Sequence, residues 1–224
     1  MVKRAEAAAA SRIPLTRERV LQTAIAFADE AGIDALSMRR LGQELGVEAM
    51  SLYNHVANKD DLLDGMAELV LGERELPARG DDWRAAVRRS AVSAHDLLRR
   101  HPWACALAMS PARNIPVRVQ QMEWLLRTLR EAGFSPDVTY HAYHALDSHL
   151  WGFTLWEQGH SLPAGDIADL AATFMRDFPL DDYPYVHEHV GQHVAGFGKG
   201  EKSAFEFVLD LLLDGLEQAR TAAP

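Results

Sequence analysis

An all-α fold is predicted, with a small three-helix N-terminal domain of helix-turn-helix type and a larger helical body. Three observations predict it. Apolar residues recur at helical spacing through almost every segment, and no stretch alternates convincingly at the period of two that a half-buried strand needs. Breaks fall at proline and glycine: His101-Pro102, Ser110-Pro111, Gly133-Phe134-Ser135-Pro136, Leu162-Pro163, Phe178-Pro179 and the AGFGKG of 195–200. Finally, LSMRRLGQELGVEAMSLYNHVANKDDLL at 36–63 reads as two short helices about a tight turn, followed by a capped helix.

The first helix is expected over 16–31, with Thr16 as N-cap and Gly32 as stop. Val20, Ala24, Phe27 and Ala31 form its apolar stripe, widened by Leu21, Ile25 and Ala28. Ser37 caps a short second helix whose inward residues are Met38, Leu41 and Leu45. Gly46 supplies the turn, because glycine takes a positive φ without steric cost. A third helix at about 48–55 buries Leu52 and Val56. Asn58 caps a fourth, with Asp60 and Asp61 in the first turn, where the helix dipole favours negative charge. Leu62, Leu63, Met66, Leu69 and Val70 are its inward residues. Further helices are expected at about 83–100, 102–109, 116–132, 137–158, 165–177, 184–195 and 202–220.

LPARGDD at 76–82, with its proline, glycine and charge cluster, is the best domain boundary. The expected organisation is a disordered arm over 1–14, a helix-turn-helix domain over 15–75 and a body over 76–224. No apolar run approaches the roughly 20 residues that span a bilayer, and MVKRAEAAAASR lacks the apolar centre of a secretory signal, so no membrane association is expected. The one cysteine, Cys105, cannot form an internal disulfide, which fits a cytoplasmic location and leaves no cysteine-based zinc site. The net charge is −9, unevenly spread. Residues 1–59 hold 8 Lys and Arg against 7 Asp and Glu, and the remainder holds 15 against 25. A near-neutral head on an acidic body keeps the body off phosphates while local cations make contacts.

The third helix carries the chemistry. With Leu52 and Val56 turned inward, helical spacing sends Met50, Ser51, Tyr53, Asn54 and His55 elsewhere. Hydroxyl, amide and imidazole groups bond base edges or phosphates, and a methionine can touch a thymine methyl. Arg39 on the preceding helix can reach a base or phosphate, Lys59 can pin the backbone, and Ser37 or the amides beside it can meet a phosphate. This reads as a surface for double-stranded DNA. A plain helical hairpin with ordinary surface polarity fits the same pattern.

LGV in the turn, LYNHV on the third helix and the NK-x-x-LL start of the fourth resemble the N-terminal domain of the tetracycline-repressor (TetR) family of transcriptional regulators, over roughly 15–72. The resemblance implies a homodimer on a near-palindromic operator, usually a repressor, whose heads are re-spaced by a small molecule in the body. It places operator contacts on Ser37, Arg39, Ala49, Met50, Ser51, Tyr53, His55 and Lys59. Ala49 and Met50 depart from the tetracycline repressors themselves, which have Gln and Pro there. Alanine cannot make glutamine's bidentate contact to adenine, so a different operator is expected.

The helix ending in FEFVLDLLLDGLE carries too much apolar surface for one face. Tyr140–Glu157 is a second such helix, with Ala142, Ala145 and Gly152 permitting close approach. By position these match the family's dimer-forming helices; burial of both within a monomer is the alternative. The GFS turn at 133–135, HLWGFTLWEQ at 149–158 and the FEFVLDLLLDGLE ending resemble the tetracycline-repressor type of body. Counting back from the GFS turn, that subfamily's metal-binding histidine falls near Met109, and SPARN replaces its pocket turn. Recognition of a magnesium–tetracycline chelate is therefore not expected. A family pocket would be lined by Trp103, Met109, Met122, Trp124, Trp151, Phe153 and Trp156, with His144 or His149 as hydrogen-bonding groups, and would suit a lipophilic or aromatic effector. For any single one of these residues simple core filling is the better account, and the pocket rests on what the resemblance implies. His141 and His144, and His189 and His193, share helical faces, but no HExxH or cysteine ligand supports a metal site, and no cofactor is expected. No nucleophile elbow, phosphate loop or paired-carboxylate motif supports an enzyme. A DNA-binding regulator controlled by a protein partner is the remaining alternative.

Overall fold

The computed structural model describes residues 14–160, 164–178, 182–195 and 202–222. Every long element among them is a helix. The first four are α1 (Arg17–Ala31), α2 (Met38–Leu45), α3 (Ala49–Leu52) and α4 (Lys59–Gly72), with a 3₁₀ turn at Ile33–Ala35 that the periodicity does not announce. The body follows as α5 (Trp83–Arg100), α6 (Pro102–Met109), α7 (Pro116–Glu131), α8 (Pro136–His160), α9 (Ala164–Asp177), α10 (Pro184–Val194) and α11 (Ala204–Ala222). The arm containing Lys3, Arg4 and Arg12 lies outside the described residues, as does the AGFG of 195–198 beyond its first alanine.

Local chemistry sets the ends. The side chains of Thr16, Ser37, Asn58 and Asp82 accept hydrogen bonds from Arg19 N (3.2 Å), Arg40 N (3.3 Å), Asp61 N (2.9 Å) and Ala85 N (2.9 Å), which satisfies amides with no partner inside their helices. Pro102 and Pro116 occupy first-turn positions, where a missing N–H costs nothing. Gly46 closes α2 at φ 67° and ψ 32°, in the left-handed region.

The third helix is shorter than expected. Only Ala49–Leu52 is α-helical, and residues 53–55 tighten into a turn in which His55 N bonds Leu52 O at 2.9 Å. Leu69, expected to face inward, is 40 % exposed, because the buried face of α4 runs through Leu62, Leu63, Met66, Ala67, Val70 and Leu71.

One apolar cluster runs through the molecule. It begins with Val20, Ala24, Leu41, Leu52, Val56 and Met66 in the head and passes along α4 through Val70 and Leu71. From there it joins Val87, Leu97, Leu98, Leu129, Phe134, Leu150 and Leu209 in the body. Each fully buried leucine contributes roughly 1.5–3 kcal/mol, so α4 is tied to both regions by the same burial.

Candidate nucleic-acid interface and internal cavity

The head presents the residues singled out above. Ser37, Arg39, Tyr53, Asn54 and Lys59 are exposed, and Ala49, Ser51 and His55 are half-buried. Met50 is 74 % exposed, an apolar side chain left to solvent beside polar ones. Leu52 and Val56 are buried, which fixes the rotation of α3 and turns the other side chains outward. Ser37 is already the N-cap of α2, so its oxygen accepts from Arg40 N while its O–H stays free to donate.

Two features that hold α3 in place escape a reading of the sequence. Gly42 lies where a Cβ would come within 2.9 Å of Val47 O and 3.2 Å of Ala49 N, so the two short helices touch backbone to backbone. Arg17 on α1 forks onto the Asp61 carboxylate at 2.7 and 3.0 Å and also donates to His55 O at 2.9 Å. Asp61 in turn accepts from Ala57 N at 2.7 Å. The mutual bond raises the Arg17 pKa, and with the Ala57 amide it holds the Asp61 carboxyl below its ordinary value. Arg17 and Asp61 are 44 residues apart, and no local pattern links them.

The head joins the body through polar contacts that range from exposed to buried. Asp29 of α1 accepts from Trp103 Nε1 (2.7 Å) and His101 Nδ1 (2.9 Å); a carboxylate can only accept here, so Nδ1 carries the proton. Asp60, Asp64 and Glu68 form a stripe on α4 at four-residue spacing. Arg113 of the SPARN turn pairs with Asp64 (2.6 Å) and Asp60 (3.2 Å), and Glu68 accepts from Val117 N (3.0 Å) at the start of α7. Gln121 donates to Leu71 O at 2.6 Å.

Among α5, α7 and α8, against the end of α4, lies a cavity of about 30 Å³. That holds a water or two, not an aromatic ligand. Its wall includes Arg74, Arg118, Gln121, Tyr143, Asp147 and Trp151. The lining is therefore more polar than expected. Burial pulls Arg74 down to about 10 and raises the Tyr143 phenol. A larger open cleft of about 500 Å³ lies between Trp83 and Trp124, rimmed by Arg79, Arg127, Glu131 and Arg220.

The structure does not gather the eight expected ligand-binding residues into one wall. Met122 and Trp151 reach the small cavity, and Trp124 faces the larger cleft while donating to Pro77 O at 3.0 Å. Trp103 is engaged with Asp29, and Met109 is 46 % exposed at the end of α6. His144 is exposed on α8 beside Tyr140, at 4.6 Å between ring centres. His149 donates to Phe205 O at 3.0 Å and stacks on the Phe205 ring, and Phe153 meets the same ring edge-on. The cavity face of α8 runs through Tyr143, Leu146, Asp147, Leu150 and Trp151, so residues 144, 149 and 153 turn to other neighbours. His95 stacks on the opposite side of this cluster, 3.9 Å from Phe205, and burial lowers the pKa of both histidines. Among the described residues, no three His, Cys, Asp or Glu side chains gather as a metal site.

Residues 76–220 match the family profile described as "Tetracyclin repressor-like, C-terminal domain", and residues 20–66 match "Bacterial regulatory proteins, tetR family". The chain is 37 % identical over 140 residues to the HTH-type transcriptional repressor DrrR1 of Streptomyces coeruleorubidus, a match covering 62 % of this chain and 52 % of that protein. It is 34 % identical over 155 residues to the class D tetracycline repressor protein of Escherichia coli, covering 68 % and 71 %. The chain thus spans about half the length of DrrR1 and nearly three quarters of the class D protein. Among solved structures, ActR of Streptomyces coelicolor in complex with actinorhodin superposes with a TM-score of 0.70 at 28 % identity, covering 93 % and 99 %. BioQ with its natural double-stranded DNA operator superposes with a TM-score of 0.62 at 27 % identity, covering 92 % and 99 %.

Proposed function

The chain belongs to the TetR family of bacterial regulatory proteins, and we propose on that footing that it is a transcriptional repressor that leaves a palindromic operator when a small molecule binds its body. The observation that carries this reading is the head. Exposed Arg39, Met50, Tyr53, Asn54 and Lys59 surround a short helix held by Gly42 beneath it and by the Arg17–Asp61 fork beside it. Phosphate contacts from Ser37, Tyr53, His55 and Lys59 would position the head, while Ala49, Met50 and Ser51 would face bases. With Ala49 and Met50 there, thymine methyls are the apolar partners on offer.

The body supports the second half of the reading. Leu155 and Trp156 on α8, and Phe207 and Leu211 on α11, are exposed apolar side chains on neighbouring helices. Two copies joined there would set two heads at a fixed separation, as successive grooves require. A small molecule favouring a differently spaced state lowers operator affinity by linkage. The action belongs in the cytoplasm, where the DNA is.

The test is retardation of the DNA flanking the protein's own gene. The purified dimer should shift a palindromic fragment, and replacing Tyr53 and Lys59 together by alanine should weaken binding at least roughly tenfold with an unchanged melting temperature. Intact binding by that double variant would remove α3 as the reading element. Failure of every compound in a broad thermal-shift screen would favour control by a protein partner.

A further inference from the structure

Resting on the reading of the body as an effector domain, we propose that the effector is an aromatic carboxylate, bound through its carboxyl group by Arg74 and Arg118 with its ring against Trp151. The reason is the charge left open in the cavity wall. Arg74 stands just past the end of α4, and its Nε donates to Ser90 Oγ at 2.9 Å. Among the described residues, neither of its two terminal nitrogens has a hydrogen-bond or ion-pair partner. The charged groups that act on it are Asp147 and Arg118, with the Tyr143 phenol beside them.

Asp147 is already committed. Its Oδ1 accepts from Trp151 Nε1 at 2.8 Å, and its Oδ2 lies 3.9 Å from Arg118. Arg118 also donates to Ala108 O and lies 4.9 Å over the Trp151 ring. Two guanidinium groups therefore stand in a wall with one carboxylate, only Arg118 lies within ion-pair distance of it, and the wall keeps an excess of one positive charge. A half-buried cation with open donors gains more from a matching anion than a fully solvated one does. A planar fork of N–H donors matches a carboxylate, and a single excess charge matches a monoanion better than a phosphate. Trp151 offers the apolar surface for a ring.

The placement also explains how such a ligand could act. The cavity of about 30 Å³ must enlarge to admit a fused ring, so binding selects a rearranged packing of α5, α7 and α8. Arg74 lies two residues past the end of α4, and α4 begins at Lys59 on the DNA-reading side. An anion that draws Arg74 toward Arg118 therefore acts on the end of the helix that carries the head.

Two probes of nearly equal shape test this on the full chain: 2-naphthoate and 2-naphthamide, titrated calorimetrically and added to the protein–DNA complex. The acid should bind roughly tenfold more tightly than the amide and release the DNA at correspondingly lower concentration. Arg74→Gln should abolish the preference while leaving amide binding within about twofold, and Arg74→Lys should retain part of it. A helical circular dichroism spectrum and a cooperative thermal melt show that both variants are folded. Equal binding and equal DNA release by both probes would overturn the anion inference and leave the small-molecule reading intact. A preference for the acid that survives Arg74→Gln would overturn the assignment of the site. Neither binding nor release with either probe at millimolar concentration would overturn the aromatic-carboxylate inference, while the small-molecule reading stands or falls with the broad thermal-shift screen.

Discussion

Arg17 joins three segments of the head with one guanidinium: its own helix, the end of the α3 turn through His55 O, and the first turn of α4 through Asp61. Asp61 is legible in the sequence as a helix-start acid, whereas its partner 44 residues earlier is not. Arg17→Met should lower operator affinity about tenfold by loosening α3, without removing a base contact, as gel retardation would register. The Asp61 pKa is lowered, so its contribution is present above the ordinary carboxylate range and is lost as pH falls through the folded value. Buried His95 and half-buried His149 act at higher pH. His95 and His149 both titrate below the ordinary value of 6.5, chiefly because burial disfavours their charged forms. The unfolded chain then binds more protons, so their neutral forms support the fold above about pH 6.5 and that support is lost as pH falls below it. The melting temperature should drop between pH 7.5 and 5.5, and His149→Gln should flatten the drop.

At the scale of elements, the head depends on a close approach. Gly46 is readable from its place between two apolar stripes, because a left-handed turn demands glycine locally. Gly42 sits in the middle of α2 at an ordinary helical conformation, and its role appears only when α3 packs against it. Gly42→Ala would push a methyl against Val47 O and the Ala49 backbone, which cannot move like a side-chain tip. A loss of about 1–3 kcal/mol is expected by urea unfolding, with weaker DNA binding. The stripe of Asp60, Asp64 and Glu68 on α4 likewise has no partner visible in the sequence, where only Asp60 is read, as a first-turn acid, yet it receives Arg113 and the start of α7. These links make α4 the element through which the body can move the head.

For the molecule as a whole, exposed Leu155, Trp156, Phe207 and Leu211 leave an apolar area that a second copy would cover. Phe207→Glu with Leu211→Glu should yield a monomer by light scattering, still helical by circular dichroism, with operator affinity reduced at least a hundredfold because one head must bind alone. Persistent dimers in that variant would move the interface elsewhere. The charge division also belongs to this scale: residues 1–59 carry 8 basic against 7 acidic residues while the rest of the chain carries 15 against 25, so binding through those local cations should weaken steeply with salt.

What the sequence determined alone is the set of helices, most of their ends and the face of α3 turned to solvent. Those signals act within four residues: Thr16, Ser37 and Asn58 bond amides three positions on, and Leu52 in α3 with Val56 after its turn sets which side chains face outward. Tertiary structure alone decided what the body cavity contains. Seven aromatic and methionine residues suggested an apolar pocket, but only Met122 and Trp151 reach the cavity, where Arg74, Arg118 and Asp147 join them. The spacing of α8 allows several faces to point inward, and the packing of α5, α7 and α11 chooses among them. A side chain's partner across 50 or 100 residues depends on that choice, and no local pattern contains it.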